Sequence, residues 1–381
     1  MTAVTSSAQF LHKASEIASF YGFRPAHSVG EYLPKGVRFG KNDARTFDGV
    51  AQACVTCLAG KERDVLLCFH ANQTPSDFGA IPGISNKEAG EFAISLIGAH
   101  TSIGEIVALK TILAILSDSG TNIKGVRIGS AGDRDSQARF AREMSAYLKK
   151  RAADIPDCCR ESSVSNPLSL ISCGDSVCAS IISEGPRSTA FLSERSRVHF
   201  REVLEYLERI DMPYQLDDHM AHDSGLPRVL FSMDIEEGGV VLGARGGRYD
   251  DYVRRLTGKK DASGVKASIF FRKKGLDRSA FIFETKRKSA KVYFIKLGLE
   301  ATLKGLHVLD ALRKARIPVY QSFSGDRLAP QLSEAEKLAV PYLIIMGQRE
   351  ALQDAVIVRR VATRSQQIVA IRELPQFLRM V

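Results

Sequence analysis

The 381-residue chain is predicted to be an α/β protein, an α+β core followed by a smaller α/β unit. Three observations carry that expectation. Apolar residues recur at helical spacing in several long segments. Short apolar runs, bounded by turn residues, lie between them. Beyond residue 291, strands alternate with helices, as in a sheet covered by helices.

Taken in order, "AQFLHKASEIASFYGF" is the first helix, with Phe10, Leu11, Ala14, Ile17 and Ala18 on one face and Gly22 ending it. "DVLLCFHA" is a short buried strand. "EFAISLIGA" alternates and is a second one. "SIGEIVALKTILAILSDSG" is a strong helix, with Ser102 as its cap, Glu105 completing a capping box and Gly120 closing it. "NIKGVRIGS" is a strand, and "DSQARFAREMSAYLKKRAADI" and "SERSRVHFREVLEYLERIDM" are charged amphipathic helices. "RVLFSMDI" and "GVVLGAR" form an antiparallel hairpin around residues 236–239, and "GARGGRYDDYVRRL" leads from strand to helix.

The end reads as a separate unit. "KVYFIKLG", "IPVYQSF", "PYLIIMG" and "DAVIVRRVA" are strands. "EATLKGLHVLDALRKAR", "LAPQLSEAEKLAV" and "LPQFLRMV" are helices, giving a mixed, mostly parallel sheet. The basic run "FETKRKSAK" is the expected linker, so the domains are 1–285 and 291–381.

The formal net charge is +10, which suits an anionic partner and also serves solubility. Residues 291–381 hold 14 Lys and Arg against 8 Asp and Glu. Arg359, Arg360 and Arg364 crowd one strand and turn there, and they are the candidate phosphate contacts for RNA. The clusters at 272–274 and 286–291 read equally as a solvated linker or an RNA contact. No apolar run is long enough to span a bilayer and no signal-peptide layout is present, so a cytoplasmic protein is expected, with no membrane partner.

Seven cysteines without a secretory signal argue against a disulfide framework. Cys54 and Cys57 invite a zinc reading, but a closed site needs four ligands, and the same stretch reads as a helix with both thiols on its apolar face. Cys158 and Cys159 are adjacent, and Cys173 and Cys178 are loosely spaced. His219, His222 and Asp223 form a second metal-like cluster. No metal site is assigned from these spacings.

"GARGGRYDDYVRRL" resembles the second histidine-binding signature of histidyl-tRNA synthetases, whose core is Gly-Gly-Arg-Tyr-Asp. The match is colinear with others. "RIGSAGDRDSQARFAREMSAYLKKR", "DCCRESSVSNPLSLISC" and "FLSERSRVHFREVLEYLERIDMPYQL" are similar to the family's middle region. "LDALRKARIPVY", "AEKLAVPYLIIMGQREA", "DAVIVRRVATRSQQIV" and "ELPQFLRMV" are similar to its anticodon-binding domain. The resemblance covers nearly the whole chain. It implies a class II synthetase core, an antiparallel sheet with flanking helices, that forms a homodimer through "HKASEIASFYGFRP". It also implies a C-terminal α/β domain that holds tRNA. In the family, ATP and Mg²⁺ activate histidine before its transfer to tRNA.

Carried over residue by residue, the amino-acid site falls on Asp48, Gly246, Gly247, Arg248, Tyr249 and Asp250. Asp48 and Gly49 stand for the family's Glu-Gly, with Val50 for its Thr. Gly246 and Gly247 would let a small ligand approach the backbone. Arg248, Tyr249 and Asp250 equally suit a strand-to-helix brace.

The phosphate-handling arginines depart from the pattern. No arginine lies between Arg63 and Arg127, where the second class motif carries one, and Lys87 is the one cation in that loop. None lies between Arg209 and Arg228, the place of the first histidine signature. Phe270 and Phe271 stand where the last class motif has Glu-Arg, with Arg272 one position late. In-line attack on a phosphate needs fixed cations, and a lost donor of this kind costs roughly 10²-fold or more in rate. No catalytic residue is therefore assigned.

The expectation is a synthetase-like protein with weak or no aminoacylation activity that binds tRNA or a protein partner. An active ligase, using ATP and Mg²⁺ with a clamp rebuilt from Lys87, Lys266 or Arg272, is the alternative. A regulatory subunit of ATP phosphoribosyltransferase is a third reading, disfavoured because that relative lacks the anticodon domain.

Overall fold

The computed structural model describes residues 6–59, 65–75, 85, 87–220, 227–236, 239–283, 290–321, 323 and 327–380. His222, Asp223 and the linker run at 284–289 lie outside them.

The larger sheet joins β1 (Arg24–Pro25), β2 (Leu66–Asn72), β3 (Ala89–Ile97), β4 (Ile123–Ser130), β5 (Gln215–Leu216), β6 (Val229–Ile235), β7 (Val241–Arg248) and β8 (Gly264–Arg272). Their order is β1-β2-β3-β8-β7-β6-β4-β5. The six inner strands pair antiparallel, and a two-residue strand adds in parallel at each edge. This is the expected antiparallel core with short parallel margins.

The helices of this part are α1 (Ser7–Phe20), α2 (Phe47–Leu58), α3 (Ile103–Asp118), α4 (Arg134–Lys150), α5 (Asp157–Ser165), α6 (Ser176–Ser183), α7 (Glu194–Arg209) and α8 (Asp250–Thr257). Side-chain alternation divides the sheet. Phe92, Ile94 and Leu96 of β3, with Val265, Ala267, Ile269 and Phe271 of β8, join the α1, α3 and α7 core. The other face packs beneath α2 and α8, where Phe47, Val50, Cys54, Cys57, Ile97, Tyr249 and Val253 form a second cluster. The alternation read in β3 is therefore not polar against apolar, because helices cover both faces and the whole strand is buried. Cys54 and Cys57 take the apolar-face reading: both are buried on α2, with Cys54 Sγ 3.7 Å from Cys68 Sγ.

The capping box expected at Ser102 and Glu105 does not form. Ser102 makes no side-chain cap hydrogen bond. Its hydroxyl donates to Glu202 Oε2 at 2.8 Å, and Glu105 is fully buried in contact with β7 and α7. α3 is apolar on nearly all sides, so its first turn lies inside the protein, where a carboxylate meets a buried guanidinium before it meets solvent-side amides. Ser193 does cap α7, accepting from Ser196 N, and donates to Asp133 at 2.6 Å.

The C-terminal part contains β9 (Val292–Lys296), α9 (Leu299–Lys314), β10 (Tyr320–Gln321), α10 (Leu328–Lys337), β11 (Tyr342–Met346), α11 (Gln348–Leu352), β12 (Ala355–Arg360), β13 (Gln366–Ala370) and α12 (Leu374–Met380). Strand order is β10-β9-β11-β12-β13. β10, β9 and β11 are parallel, but β12 and β13 turn back antiparallel, so half the pairings depart from the mostly parallel expectation. β13 escapes sequence reading because "SQQIVA" is polar for an outer strand with one buried residue.

The two parts share one apolar core. Phe294, Leu303, Leu306 and Leu309 belong to the same cluster as α1 and α3. Polar contacts reinforce the seam: Arg313 pairs with Asp118 of α3 and, at 2.7 Å, with Asp310, whose Oδ1 accepts from Tyr21 Oη at 3.4 Å.

Candidate functional site

The Gly-Gly-Arg-Tyr-Asp segment ends β7 and begins α8. Strand alternation sends Ala244, Gly246 and Arg248 to the α3 side, and Arg245, Gly247 and Tyr249 to the α2 side.

Arg248 is 1% exposed, and each of its five N–H groups has an acceptor. Nε and Nη2 donate to the two oxygens of Glu105 at 2.7 and 2.5 Å. Nη1 donates to Ala99 O at 2.7 Å and Asp250 Oδ1 at 3.3 Å, and Nη2 also donates to Thr101 O at 2.7 Å. His199 Nε2 lies 2.7 Å from Glu105 Oε1. Burial alone would raise the Glu105 carboxyl, but the charge and hydrogen bonds of Arg248, helped by His199, outweigh it and hold the group at about 2.

Asp250 extends the same chain, accepting from Gly264 N at 3.1 Å. Tyr249 is buried, donates its own amide to Gly264 O at 2.7 Å and sets its ring 5.8 Å from that of Phe47. Arg248, Tyr249 and Asp250 thus lock the strand-to-helix turn onto β8 and α3.

The space beside the two glycines is filled by the chain itself. A Cβ on Gly246 would stand 2.5 Å from Lys266 O and from the Phe231 ring. One on Gly247 would stand 2.5 Å from Val229 O and 2.8 Å from Pro227. Their lack of side chains admits neighbouring strands and an aromatic ring. Asp48, in the first turn of α2, accepts from Tyr252 Oη at 2.8 Å and so joins α2 to α8.

On the α2 side of the sheet lies a polar cluster that motif reading missed. Lys266 Nζ donates to Glu91 Oε1 at 2.7 Å, and Ser268 Oγ donates to the same oxygen at 2.6 Å. Burial would raise Glu91, but Lys266 first, then His70, bring it down to about 2. His70 is 3% exposed with neither ring nitrogen hydrogen-bonded among the described residues, and burial lowers it to about 4. The hydroxyls of Ser95, Ser232 and Ser263 are likewise buried with no hydrogen-bond partner among the described residues. Arg245 pairs in register with Ser232 and Ser268, and its charge acts on Tyr249. The readable signal was a Glu and a Lys inside otherwise apolar strands, "GEFAIS" and "GVKASIF".

The three cations considered for a rebuilt clamp do not meet. Lys87 is exposed just before β3, near Ala89, which pairs with Arg272. Arg272 is exposed at the end of β8, roughly 26 Å along the strand from Gly264 and the Tyr249 turn. Lys266 lies near that turn, engaged with Glu91.

Phe271 fills the place expected for the last-motif arginine. It is fully buried, its ring centroid 5.2 Å from that of Phe10. Gly90 is opposite it in register, and a Cβ there would lie 2.7 Å from the Phe271 ring. A side chain at position 90 and a phenylalanine at 271 exclude each other.

Arg359, Arg360 and Arg364 lie on the β12–β13 hairpin. Arg359 is half-buried, Arg360 and Arg364 are exposed, and Arg364 has a positive φ of 55°. Residues 355–372 hold four arginines and no acidic residue. Among the described residues no helix is long and apolar enough to cross a membrane.

The antiparallel core under flanking helices, with the glycine-rich turn at the end of β7 and a second α/β sheet behind it, has the architecture of a class II aminoacyl-tRNA synthetase. A family model described as "Anticodon binding domain" matches residues 291–380. A histidine–tRNA ligase of Synechococcus is 25% identical over 303 residues, covering 77% of this chain and 70% of that protein. The histidine–tRNA ligase of Aquifex aeolicus is 27% identical over 291 residues, covering 76% of this chain and 70% of its own. Among solved structures, apo histidyl-tRNA synthetase of Staphylococcus aureus aligns over 97% of this chain and 94% of its own, at 15% identity and a TM-score of 0.45. The chain is similar to histidine–tRNA ligases over most of its length, and residues 291–380 match an anticodon-binding domain.

Proposed function

We propose that this protein is a synthetase-derived RNA-binding protein that has lost efficient histidine activation. The observation that carries this reading is the pairing of Gly90 with Phe271. In the family, the corresponding stretches carry the arginines that hold ATP. Here the first stretch has no arginine, and in the second an aromatic core residue, Phe271, stands at the arginine's place. ATP with Mg²⁺ is a poor fit to those positions. The carboxylate next to Gly90, Glu91, is committed to Lys266 and Ser268. Lys266 lies far along β8 from Lys87 and Arg272 and is engaged with Glu91, which argues against a clamp rebuilt from all three.

On this reading the domains are 1–285 and 291–381. The Gly-Gly-Arg-Tyr-Asp segment acts as a brace, and the β12–β13 hairpin carries the RNA contacts through Arg359, Arg360 and Arg364. Homodimer formation through α1 and β1 is part of the proposal, since β1 lies at a sheet edge. Histidine-dependent ATP–pyrophosphate exchange tests the lost activity. Filter binding to tRNA across a salt series tests the retained one, because phosphate contacts weaken steeply as salt rises.

A second reading has one observation in its favour. Arg245 and Lys266 come to the same face of the sheet, beside buried hydroxyls and His70. An active ligase using those two cations would show exchange that Arg245→Ala abolishes. A regulatory role in a phosphoribosyltransferase complex is the third reading. Co-purification of such an enzyme would support it.

A further inference from the structure

Between β4 and β6 the chain makes an excursion, α4 to α6, with its own small apolar cluster of Phe140, Met144, Leu148, Ile155, Leu170, Cys178, Ile181 and Ile182. Three cysteines meet at its edge. The Sγ atoms of Cys159, Cys173 and Cys178 all lie within 4.8 Å of one another, and Cys159 and Cys173 are 3.6 Å apart. Nothing in the synthetase chemistry uses this cluster.

We propose that Cys159, Cys173 and Cys178 form a thiolate site for a structural zinc ion. Four observations carry it. First, the spacing: zinc–sulfur bonds of about 2.3 Å in a tetrahedron set sulfurs about 3.8 Å apart, close to the separation seen. Four residues separate Cys173 from Cys178, within the usual range for a ligand pair. Second, the backbone: the Asp175 amide bonds the Cys173 sulfur, the contact a coordinating thiolate accepts. Third, the helix ends: Cys159 and Cys178 are each the third residue of their helices, α5 and α6, where amide dipoles favour a negative sulfur. Asp175 caps α6 through Val177 N and Cys178 N, fixing the turn that joins two of the ligands.

Fourth, the need: the excursion's core is small, and units of this size are commonly stapled by metal or disulfide. One ion would tie α5, α6 and the turn between them together. Without it, three thiols crowd each other. Binding transfers the thiol protons to solvent and leaves sulfur oxidation states unchanged. Cys158, exposed and with its Sγ 3.6 Å from that of Cys159, is the further thiol available to a fourth position.

The test uses the full chain, purified under reducing conditions without chelator. Elemental analysis should find about one zinc per chain. Cobalt(II) added to chelator-treated protein should give the thiolate-to-metal charge-transfer absorption of a sulfur-rich tetrahedral site. Cys173→Ser and Cys178→Ser should lose the metal and Cys54→Ser should keep it. If the serine variants fail to fold, the cobalt spectrum of the unaltered protein decides alone. Protein that is free of zinc and gives no thiolate band overturns the proposal. So does metal retained by both serine variants, or a disulfide between Cys159 and Cys173 in reduced preparations.

Discussion

Arg248 and Glu105 are joined by two hydrogen bonds, Nε to Oε1 at 2.7 Å and Nη2 to Oε2 at 2.5 Å, with neither residue reaching solvent. The pair ties the turn at the end of β7 to the first turn of α3, and through His199 to α7. Glu105→Gln and Arg248→Met each strand a buried polar or charged partner. Each is expected to cost about 3–5 kcal/mol in urea unfolding. A loss under about 1 kcal/mol would show that the pair is not the brace described.

Both buried carboxylates make stability sensitive to acid. Glu105 and Glu91 titrate at about 2 in the folded protein against an ordinary 4.5. A depressed carboxyl contributes its stabilisation in full above the unfolded value and loses it as pH falls. Unfolding free energy should therefore drop between about pH 4.5 and pH 2. The double variant Glu91→Gln, Lys266→Met should lessen that slope, and an unchanged acid profile would refute the assignment.

Lys296 gives a dependence of the same sign in a higher pH window. Burial lowers it from 10.5 to about 7, beside Gln321 Oε1 at 2.6 Å and 3.8 Å from the Phe323 ring centroid. Between pH 7 and 10.5 the unfolded chain binds more protons at this group, so its contribution to stability rises with pH. Lys296→Met should raise stability below pH 7, with the gain shrinking towards pH 10.5. Equal effects at pH 6 and pH 10 would contradict this.

Gly246→Ala tests whether the glycines serve the sheet. The new methyl would meet Lys266 O and Phe231, and overpacking of this kind costs about 1–3 kcal/mol. The loss should appear in thermal unfolding without any ligand. A variant of unchanged stability would return Gly246 to a ligand-binding role.

On the β12–β13 hairpin, Arg360→Ala and Arg364→Ala should each weaken tRNA binding and lower the salt slope by about 1. The effect should be similar across tRNA sequences, because phosphate contacts position without reading bases. Unaltered affinity in the double variant would move the RNA surface elsewhere.

Most helices and strands were legible because their periods were strong, as in α3 and the β6–β7 hairpin. The Gly-Gly-Arg-Tyr-Asp string was legible as a signature, but its work was not. Whether Arg248 faces a ligand or Glu105 depends on strand parity and on a helix nearly 150 residues away in sequence. Glu105 itself was misread, since a local capping rule competes poorly with a buried ion pair. The Glu91–Lys266 pair left a trace, two charges in apolar strands, that no motif captured. The cysteine cluster left less, because Cys159 meets Cys173 and Cys178 only once α5 and α6 pack together.

Phe271, packed on Gly90 where the last motif has an arginine, marks the proposed loss of the ATP half of the site. Histidine-dependent ATP–pyrophosphate exchange measures that loss directly. With at least one phosphate-clamp arginine missing, the rate should fall roughly 10²-fold or more below that of an active histidine–tRNA ligase assayed alongside. Exchange at a rate equal to that ligase, dependent on both histidine and ATP, would contradict the account.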